Sequence, residues 1–297
     1  LHLLCRPVLP DDTAARLAAL PGPVHWGHLL GKLGHYGGTS WVLAHAQTLE
    51  LPIPANARAH LQRSMRKEVA RAMWTMAAYE DLAPLLRGHA PRVLLLKGRA
   101  IEARAYPARL LRPSNDIDLL VRPGHRLEVE NWLTDTGWTR VLGGGDGHAD
   151  LWHGPGRRGA IDLHDAPLSP SRFRGLTATA VHQLFDDAVA LDDGTWTLND
   201  VDHTALLLAH LHAGVFTDLR HLGDLACWLH AVRPAPSEVA DALHRWGGTR
   251  CWRAAITALQ RWDHAALPAQ WRDVRIESSW RDAPWRSLVH LAWQGSV

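Results

Sequence analysis

The sequence predicts an α+β protein in which a small mixed sheet lies between N-terminal and C-terminal helical regions. Apolar residues recur at helical spacing from Ala55 to about Tyr79. Short apolar runs bounded by Pro, Gly and Asp, which are typical of strands, lie in the middle of the chain. Helical patterns return after Asn199, a residue that suits a helix N-cap. The expected regions are 1–88, 89–198 and 199–297.

In the N-terminal region, helix caps are expected at Asp11 or Asp12 and at Thr39 or Ser40. The long helical pattern that begins at Ala55 is followed by Pro84. Proline lacks the backbone N–H that a helix interior needs, so we expect this residue to start or kink a further short helix.

The middle region is expected to supply the sheet. Strands are predicted at Val93–Leu96, Ile117–Val121, Trp138–Leu142, Ala149–His153, Ala160–His164, Val189–Leu191 and Trp196–Leu198. Gly-rich segments at 154–159 and 192–194 predict two hairpin loops, and Gly143–Gly147 predicts a flexible loop. Pro123 suits the first turn of a helix that ends near Gly137.

The C-terminal region is expected to be helical throughout. Helices are predicted at Ala205–Leu211, Leu219–His230, Ser237–Trp246 and Thr249–Trp262.

Composition limits the classes of function. The 297 residues suffice for about two domains, and 46% hydrophobic residues allow a buried core. A formal net charge of +2 is too small to indicate a nucleic-acid-binding surface, so nucleic acid is not an expected partner. The three cysteines form no CxxC pair and no zinc pattern, which is typical of a reducing cytoplasm.

Targeting signals are not evident in the sequence. No apolar run reaches about 18 residues, so no membrane span is expected. Residues 1–10 lack the basic and long apolar segments of a signal peptide. We therefore expect a cytoplasmic protein.

The sharpest chemical signal is a pair of carboxylates at a buried strand. Asp116 and Asp118 are two residues apart, so an extended backbone puts both on one face, with Cα atoms about 6.5–7 Å apart. Ile117 and Leu119 take the opposite, apolar face. Two such charges would raise each other's pKa, and a divalent cation would remove that repulsion. Magnesium prefers carboxylate, phosphate and water oxygens as ligands.

A third carboxylate, Asp162, lies between aliphatic neighbours on another predicted strand, where it shares a face with His164. If this strand pairs near the first, three carboxylates converge on one edge of the sheet. Two magnesium ions there can stabilise the attacking and leaving oxygens of a displacement at phosphorus. Taken alone, an Asp-x-Asp pair or a single Asp is more often a solvated strand end.

The third element is Lys97-Gly98, which follows one buried strand and precedes the helical stretch Arg99–Tyr106. Glycine lets the backbone approach a phosphate, a helix N-terminus favours anions, and lysine supplies a point charge. Lysine is also rare here, with three copies against 29 arginines. The alternative is a solvated lysine at the end of a strand.

Taken together, these segments resemble an uncharacterised bacterial nucleotidyltransferase family within the DNA polymerase β-like superfamily. The matching segments are Leu94–Gly98, Tyr106-Pro107, Arg112-Pro113, Asp116–Val121, Ile161–His164, Leu206–His212 and Asp218–Asp224. The resemblance covers about Val93 to His230. It implies a polymerase β-like mixed-sheet core, two Mg²⁺ ions, and transfer of a nucleotidyl group from an NTP, expected to be ATP.

By position, the resemblance assigns catalytic and metal-binding roles to three carboxylates. Asp116 and Asp118 match the two-carboxylate motif, and Asp162 matches the third carboxylate. The acceptor is implied to be a small molecule, a peptide or another protein, because similar family members occur in biosynthetic gene clusters.

The resemblance also implies a nucleotide-binding turn at Gly98, where the superfamily has Gly-Gly or Gly-Ser. Here Arg99 follows the glycine. We therefore expect Lys97, Ser114 or Arg112 to supply the triphosphate contact.

Further candidates lie outside these motifs. His164, His210 and Arg220 are expected to line the acceptor side of the cleft. His203 and His210, seven residues apart, share a helix face, and a metal site there is a weaker alternative. Two other functions remain open: a non-catalytic nucleotide- or partner-binding module, and a phosphotransferase on the same fold.

Overall fold

The structure is a computed structural model that describes residues 13–19, 25–36, 39–89, 92–106, 112, 114–141, 149–213, 219–263 and 267–275. These residues form an α+β protein with a seven-stranded mixed sheet and helices on either side of it in the chain. The expected fold class is confirmed at this level. Among the described helices, none combines the length and apolar character that a bilayer span requires.

The strands are short and lie in the expected places. They are β1 Val93–Leu95, β2 Ile117–Val121, β3 Thr139–Arg140, β4 Ala149–His153, β5 Ala160–His164, β6 Val189–Ala190 and β7 Trp196–Thr197. Their order across the sheet is β3-β4-β5-β2-β1-β7-β6. Strand β2 pairs parallel with β5 and antiparallel with β1, while β4–β5 and β6–β7 are antiparallel hairpins.

The helices account for most of the remaining described residues. They are α1 Thr13–Ala18, α2 Trp26–Tyr36, α3 Thr39–Thr48, α4 Ala55–Gly88, α5 Lys97–Ala105, α6 Arg126–Asp135, α7 Ala178–Asp186, α8 Asp200–Ala213, α9 Leu219–Val232, α10 Pro236–Arg245, α11 Thr249–Asp263 and α12 Ala269–Arg272. The predicted cap of α8 is present, because the Asp202 backbone N–H donates to Asn199 Oδ1 at 2.9 Å.

The sheet separates two hydrophobic clusters. On β2, Ile117, Leu119 and Val121 pack into one cluster, with α6 and the end of α4. Leu120 packs into the other, with α2, α3 and the helices after α7. Side chains alternate along a strand, so Asp118 lies on the same face as Leu120. The carboxylate face of β2 is therefore the face that packs with α2, α3 and the helices after α7.

Helix α4 contributes to both clusters. Ala57 and Leu61 pack with the helical cluster, whereas Leu82 and Leu86 pack with the sheet cluster. The Tyr79 hydroxyl extends this contact, donating to Asp193 Oδ2 at 2.5 Å in the turn between β6 and β7. One helix thus links the N-terminal helices to the sheet. The division of the chain at residues 88 and 198 stays a prediction.

Two expectations about helices need correction. Pro84 lies inside α4 and starts no separate helix, because its neighbours Leu82 and Leu86 are buried against the sheet and offset the missing N–H. Pro123 lies in a turn, and α6 begins at Arg126 after Gly124, whose φ is +88°. Helices α2 and α7 were not predicted.

Other expectations fall partly or wholly outside the described residues. The caps Asp11 and Asp12 and the loop Gly143–Gly147 lie outside them. The strand predicted at Trp138–Leu142 is only Thr139–Arg140, and Leu142 also lies outside.

Candidate active site

The parallel pairing of β2 with β5 brings two predicted carboxylates together. Its register places Asp118 opposite Asp162, and Leu120 opposite His164. One ligand atom from each of Asp118, Asp162 and His164 lies within 4.8 Å of the other two. Two of the three carboxylates that the sequence expects to converge are therefore close together, and the third member of this group is an imidazole.

Asp118 is buried and carries two close partners on one oxygen. Lys97 Nζ lies 2.7 Å from Asp118 Oδ1, and His164 Nε2 lies 3.1 Å from the same atom. Burial alone would raise the pKa of Asp118, but the Lys97 charge and the His164 hydrogen bond hold that pKa well below its usual range. Asp118 is thus an ionised carboxylate whose charge is already balanced.

Asp116 is in the opposite electrostatic situation. It directly precedes β2 and is half-buried. Burial, together with the charges of Asp118 and Asp162, raises its pKa to about 6. The negative charge around Asp116, Asp118 and Asp162 therefore exceeds what the nearby cations neutralise.

The turn from β1 into α5 places Lys97 beside Asp118. The Leu96 backbone N–H donates to the Asp118 carbonyl oxygen at 2.9 Å, which extends the β1–β2 pairing by one residue. Lys97 follows with φ of +40°, a left-handed conformation that is uncommon for lysine. Backbone strain of this kind concentrates at functional sites.

Gly98 is required by the packing of the loop before β2. A Cβ atom at this position would lie 2.7 Å from Ser114 Oγ and 3.2 Å from Arg112 Nη1. The Ser114 hydroxyl in turn donates to the Asp116 carbonyl oxygen at 2.9 Å. The absence of a side chain at residue 98 thus lets the loop that holds Asp116 approach α5.

Arg112 is held in place from the C-terminal helices. Its Nε and Nη2 donate to the two carboxylate oxygens of Asp224 on α9, at 2.8 and 2.7 Å. The Tyr106 hydroxyl donates to Asp224 Oδ1 at 2.6 Å. Asp224 is 1% exposed, so this is a buried, bidentate ion pair. Arg112 lines the cleft from a fixed position.

Arg99, the residue that departs from the superfamily pattern, points elsewhere. Its guanidinium pairs with Glu102 and lies 4.4 Å from the centre of the Tyr79 ring. It does not line the cavity that the carboxylates share with Lys97 and Gly98.

The candidate site is one cavity of about 230 Å³. All the predicted site residues except His164 line it; His164 instead contacts Asp118. Four helices also contribute lining residues: Trp41 of α3, Glu68 of α4, His210 of α8, and Arg220 and His221 of α9.

The histidines of α8 differ in environment. The His210 ring lies 4.5 Å from that of His221, edge to face, and burial together with the Lys97 charge lowers the pKa of His210 to about 3. His210 is therefore neutral at physiological pH. His203 is fully buried, 4.4 Å from the Trp228 ring. In the part of the chain that the structure describes, neither histidine joins a group that could hold a metal.

Trp41, Glu68 and His221 were not predicted as site residues. Each lies on a helix whose position over the sheet depends on tertiary packing. The local sequence around Trp41 and Glu68 carries no motif, and the segment Asp218–Asp224 that contains His221 did not mark that residue as part of the site. The Lys97–Asp118 contact was also missed, since it depends on the antiparallel register of β1 and β2.

Clustered carboxylates and a lysine in one cleft on the central strands of a sheet fit a transferase that acts on phosphoryl or nucleotidyl groups. A family model described as "uncharacterised nucleotidyltransferase" matches residues 24–262, and this chain belongs to that family. The match begins well before the segments that carry the motifs, so it includes α2, α3 and α4. No curated protein and no solved structure matches the chain at a significant level.

Proposed function

We propose that this protein is a magnesium-dependent nucleotidyltransferase with a polymerase β-like core. It would transfer an NMP group from an NTP, most simply ATP, to a hydroxyl or phosphate of an acceptor and release pyrophosphate. The observation that carries this proposal is the pairing of Asp118 with Asp162 across β2 and β5, with Asp116 beside them.

The donor set suits magnesium. Asp116, Asp118 and Asp162 offer the hard oxygens that this ion prefers. The raised pKa of Asp116 reflects the negative charges of Asp118 and Asp162 around it, which a bound cation would neutralise. Bound there, two ions would stabilise charge on the attacking and leaving oxygens.

The residues of the chain itself would bind and orient the nucleotide. Lys97 would supply a point charge to the triphosphate, while Gly98 and Ser114 would shape the turn on which it lies. Arg112 has Nε and Nη2 committed to Asp224, which leaves Nη1, beside Gly98, to face a phosphate oxygen.

Asp162 is proposed to act on the acceptor side. The acceptor oxygen would bond to the α-phosphorus as the bond to pyrophosphate breaks, and the acceptor proton would pass to the Asp162 carboxylate. His210 and Arg220 would line the acceptor subsite, with His164 holding Asp118 beside it. A small molecule, a peptide or a protein could present the reacting group, within a biosynthetic pathway.

Labelled ATP tests the reaction type. Label from the α-phosphate on the acceptor would identify nucleotidyl transfer, and pyrophosphate should form in equal amount. Transfer of the γ-phosphate would instead identify a kinase. Magnesium-dependent ATP binding without transfer, across panels of small-molecule, peptide and protein acceptors, would favour a binding module. Asp162→Asn provides the inactive control.

A further inference from the structure

We propose that Lys97 is an exchangeable counter-ion: its ammonium neutralises Asp118 while no divalent cation is bound, and moves to the triphosphate when one binds. This inference rests on the proposed function. It adds an ordered step in which the Lys97 ammonium leaves Asp118 as the metal binds and then contacts the triphosphate.

The first support is the crowding at a single oxygen. Lys97 Nζ and His164 Nε2 both contact Asp118 Oδ1, at 2.7 and 3.1 Å. The side chains of all three residues are at most 15% exposed. A divalent cation bound by Asp118 would lie close to the ammonium in a poorly screened environment, where like charges repel strongly. Metal and ammonium therefore compete for this carboxylate.

The second support is the contrast between Arg112 and Lys97, two cations that line the cavity. Arg112 is held by a bidentate pair with Asp224, which leaves its guanidinium little freedom. Lys97 makes a single contact with Asp118 from a flexible four-carbon side chain that also borders the cavity. Lys97 can therefore turn from the carboxylate into the space proposed for the triphosphate.

The third support is that the backbone need not move. The hydrogen bond from the Leu96 N–H to the Asp118 carbonyl fixes the end of β1, and Gly98 is enclosed by Ser114. Lys97 lies between these two anchored residues in its uncommon left-handed conformation. The exchange is thus confined to side-chain rotation.

The test compares metal binding with nucleotide binding in Lys97→Met. Mn²⁺ titration without nucleotide should show affinity raised about tenfold, because the competing ammonium is gone. ATP with Mg²⁺ should bind about tenfold more weakly, because the triphosphate loses a cation. Lys67→Met, at an exposed lysine of α4, is the matched control and should change neither affinity.

The outcomes separate this inference from the proposed function. Unchanged or weaker Mn²⁺ binding by Lys97→Met, with nucleotidyl transfer intact in the wild type, would overturn the exchange alone. Failure of both the wild type and the variant to bind Mn²⁺ would overturn the proposed metal site as well.

A second measurement needs no variant of Lys97. The wild-type chain of 297 residues, labelled with ¹⁵N at the lysine side chains, has three Nζ positions, and Lys32→Arg and Lys67→Arg variants assign them. Mg²⁺ alone should shift the Lys97 signal, and ATP should shift it again. A Lys97 signal that responds to neither ligand would contradict the exchange.

Discussion

Asp224 and Arg112 form a buried bidentate ion pair that joins α9 to the loop before β2. Removing the Asp224 charge leaves a buried guanidinium without its counter-ion, so Asp224→Asn should lower the free energy of unfolding by about 3–5 kcal/mol. Urea denaturation measures this. Asp186→Asn, which breaks the more exposed pair with Arg122, should cost at most about 1 kcal/mol. Equal losses in the two variants would contradict the anchoring role.

Gly98→Ala should destabilise the fold by about 1–3 kcal/mol, since the new Cβ would lie 2.7 Å from Ser114 Oγ. Adding Ser114→Ala removes that oxygen and should recover part of the loss, so the double variant should be less than additive in chemical denaturation. Gly31→Ala is the control, because nothing lies within 4 Å of its added Cβ. It should be neutral or slightly stabilising.

The metal-free stability of Asp116→Asn should depend on pH in a defined way. The folded-state pKa of Asp116, about 6, exceeds the ordinary value of 3.8. The folded state therefore binds more protons between these values, and wild-type stability falls as pH rises from about 4 to 6. Asp116→Asn removes this effect, so its advantage should grow across that window and level off at about 1–3 kcal/mol above it. Thermal melts in EDTA at several pH values measure the difference.

Asp118→Asn should have the opposite sign. The lowered pKa of Asp118 means that its ionised form stabilises the folded state above pH 4, and this contribution is lost as the pH falls. At pH 7 without metal, Asp118→Asn should unfold at a lower temperature than wild type. Relief of repulsion between the carboxylates alone would instead raise the melting temperature of all three Asp→Asn variants. A higher melting temperature for Asp118→Asn would therefore show that repulsion between the carboxylates outweighs the contacts of Asp118 with Lys97 and His164.

Asp162→Asn should separate binding from turnover. Asp162 lies on β5, across from Asp118, and its proposed role is on the acceptor side. We expect the variant to keep much of its affinity for ATP with Mg²⁺ and to lose at least about 100-fold in single-turnover rate. Asp116→Asn and Asp118→Asn should lose both. Near-wild-type turnover in Asp162→Asn would show that Asp162, and with it β5, takes no part in the reaction.

The sequence was most informative where one local rule decided the outcome. Alternation along a strand predicted that Asp118 opposes Ile117 and Leu119, and it does. Pairing of the strand that bears Asp162 could be stated only as a condition, because strand order is not a local property. The same limit hid Glu68, which reaches the cavity from a helix that local sequence describes only as amphipathic. The local rule predicted that Pro84 would start or kink a further helix. Pro84 instead lies inside α4, because burial of this helix against the sheet outweighs one missing hydrogen bond.

Helix α4 is a continuous rod of 34 residues, about 50 Å long, with one end in each hydrophobic cluster. Glu68 lies near its middle, in the wall of the cavity. A fragment that begins at the sheet would lose this wall and uncover the apolar surface that Leu82 and Leu86 now cover, a surface prone to aggregation.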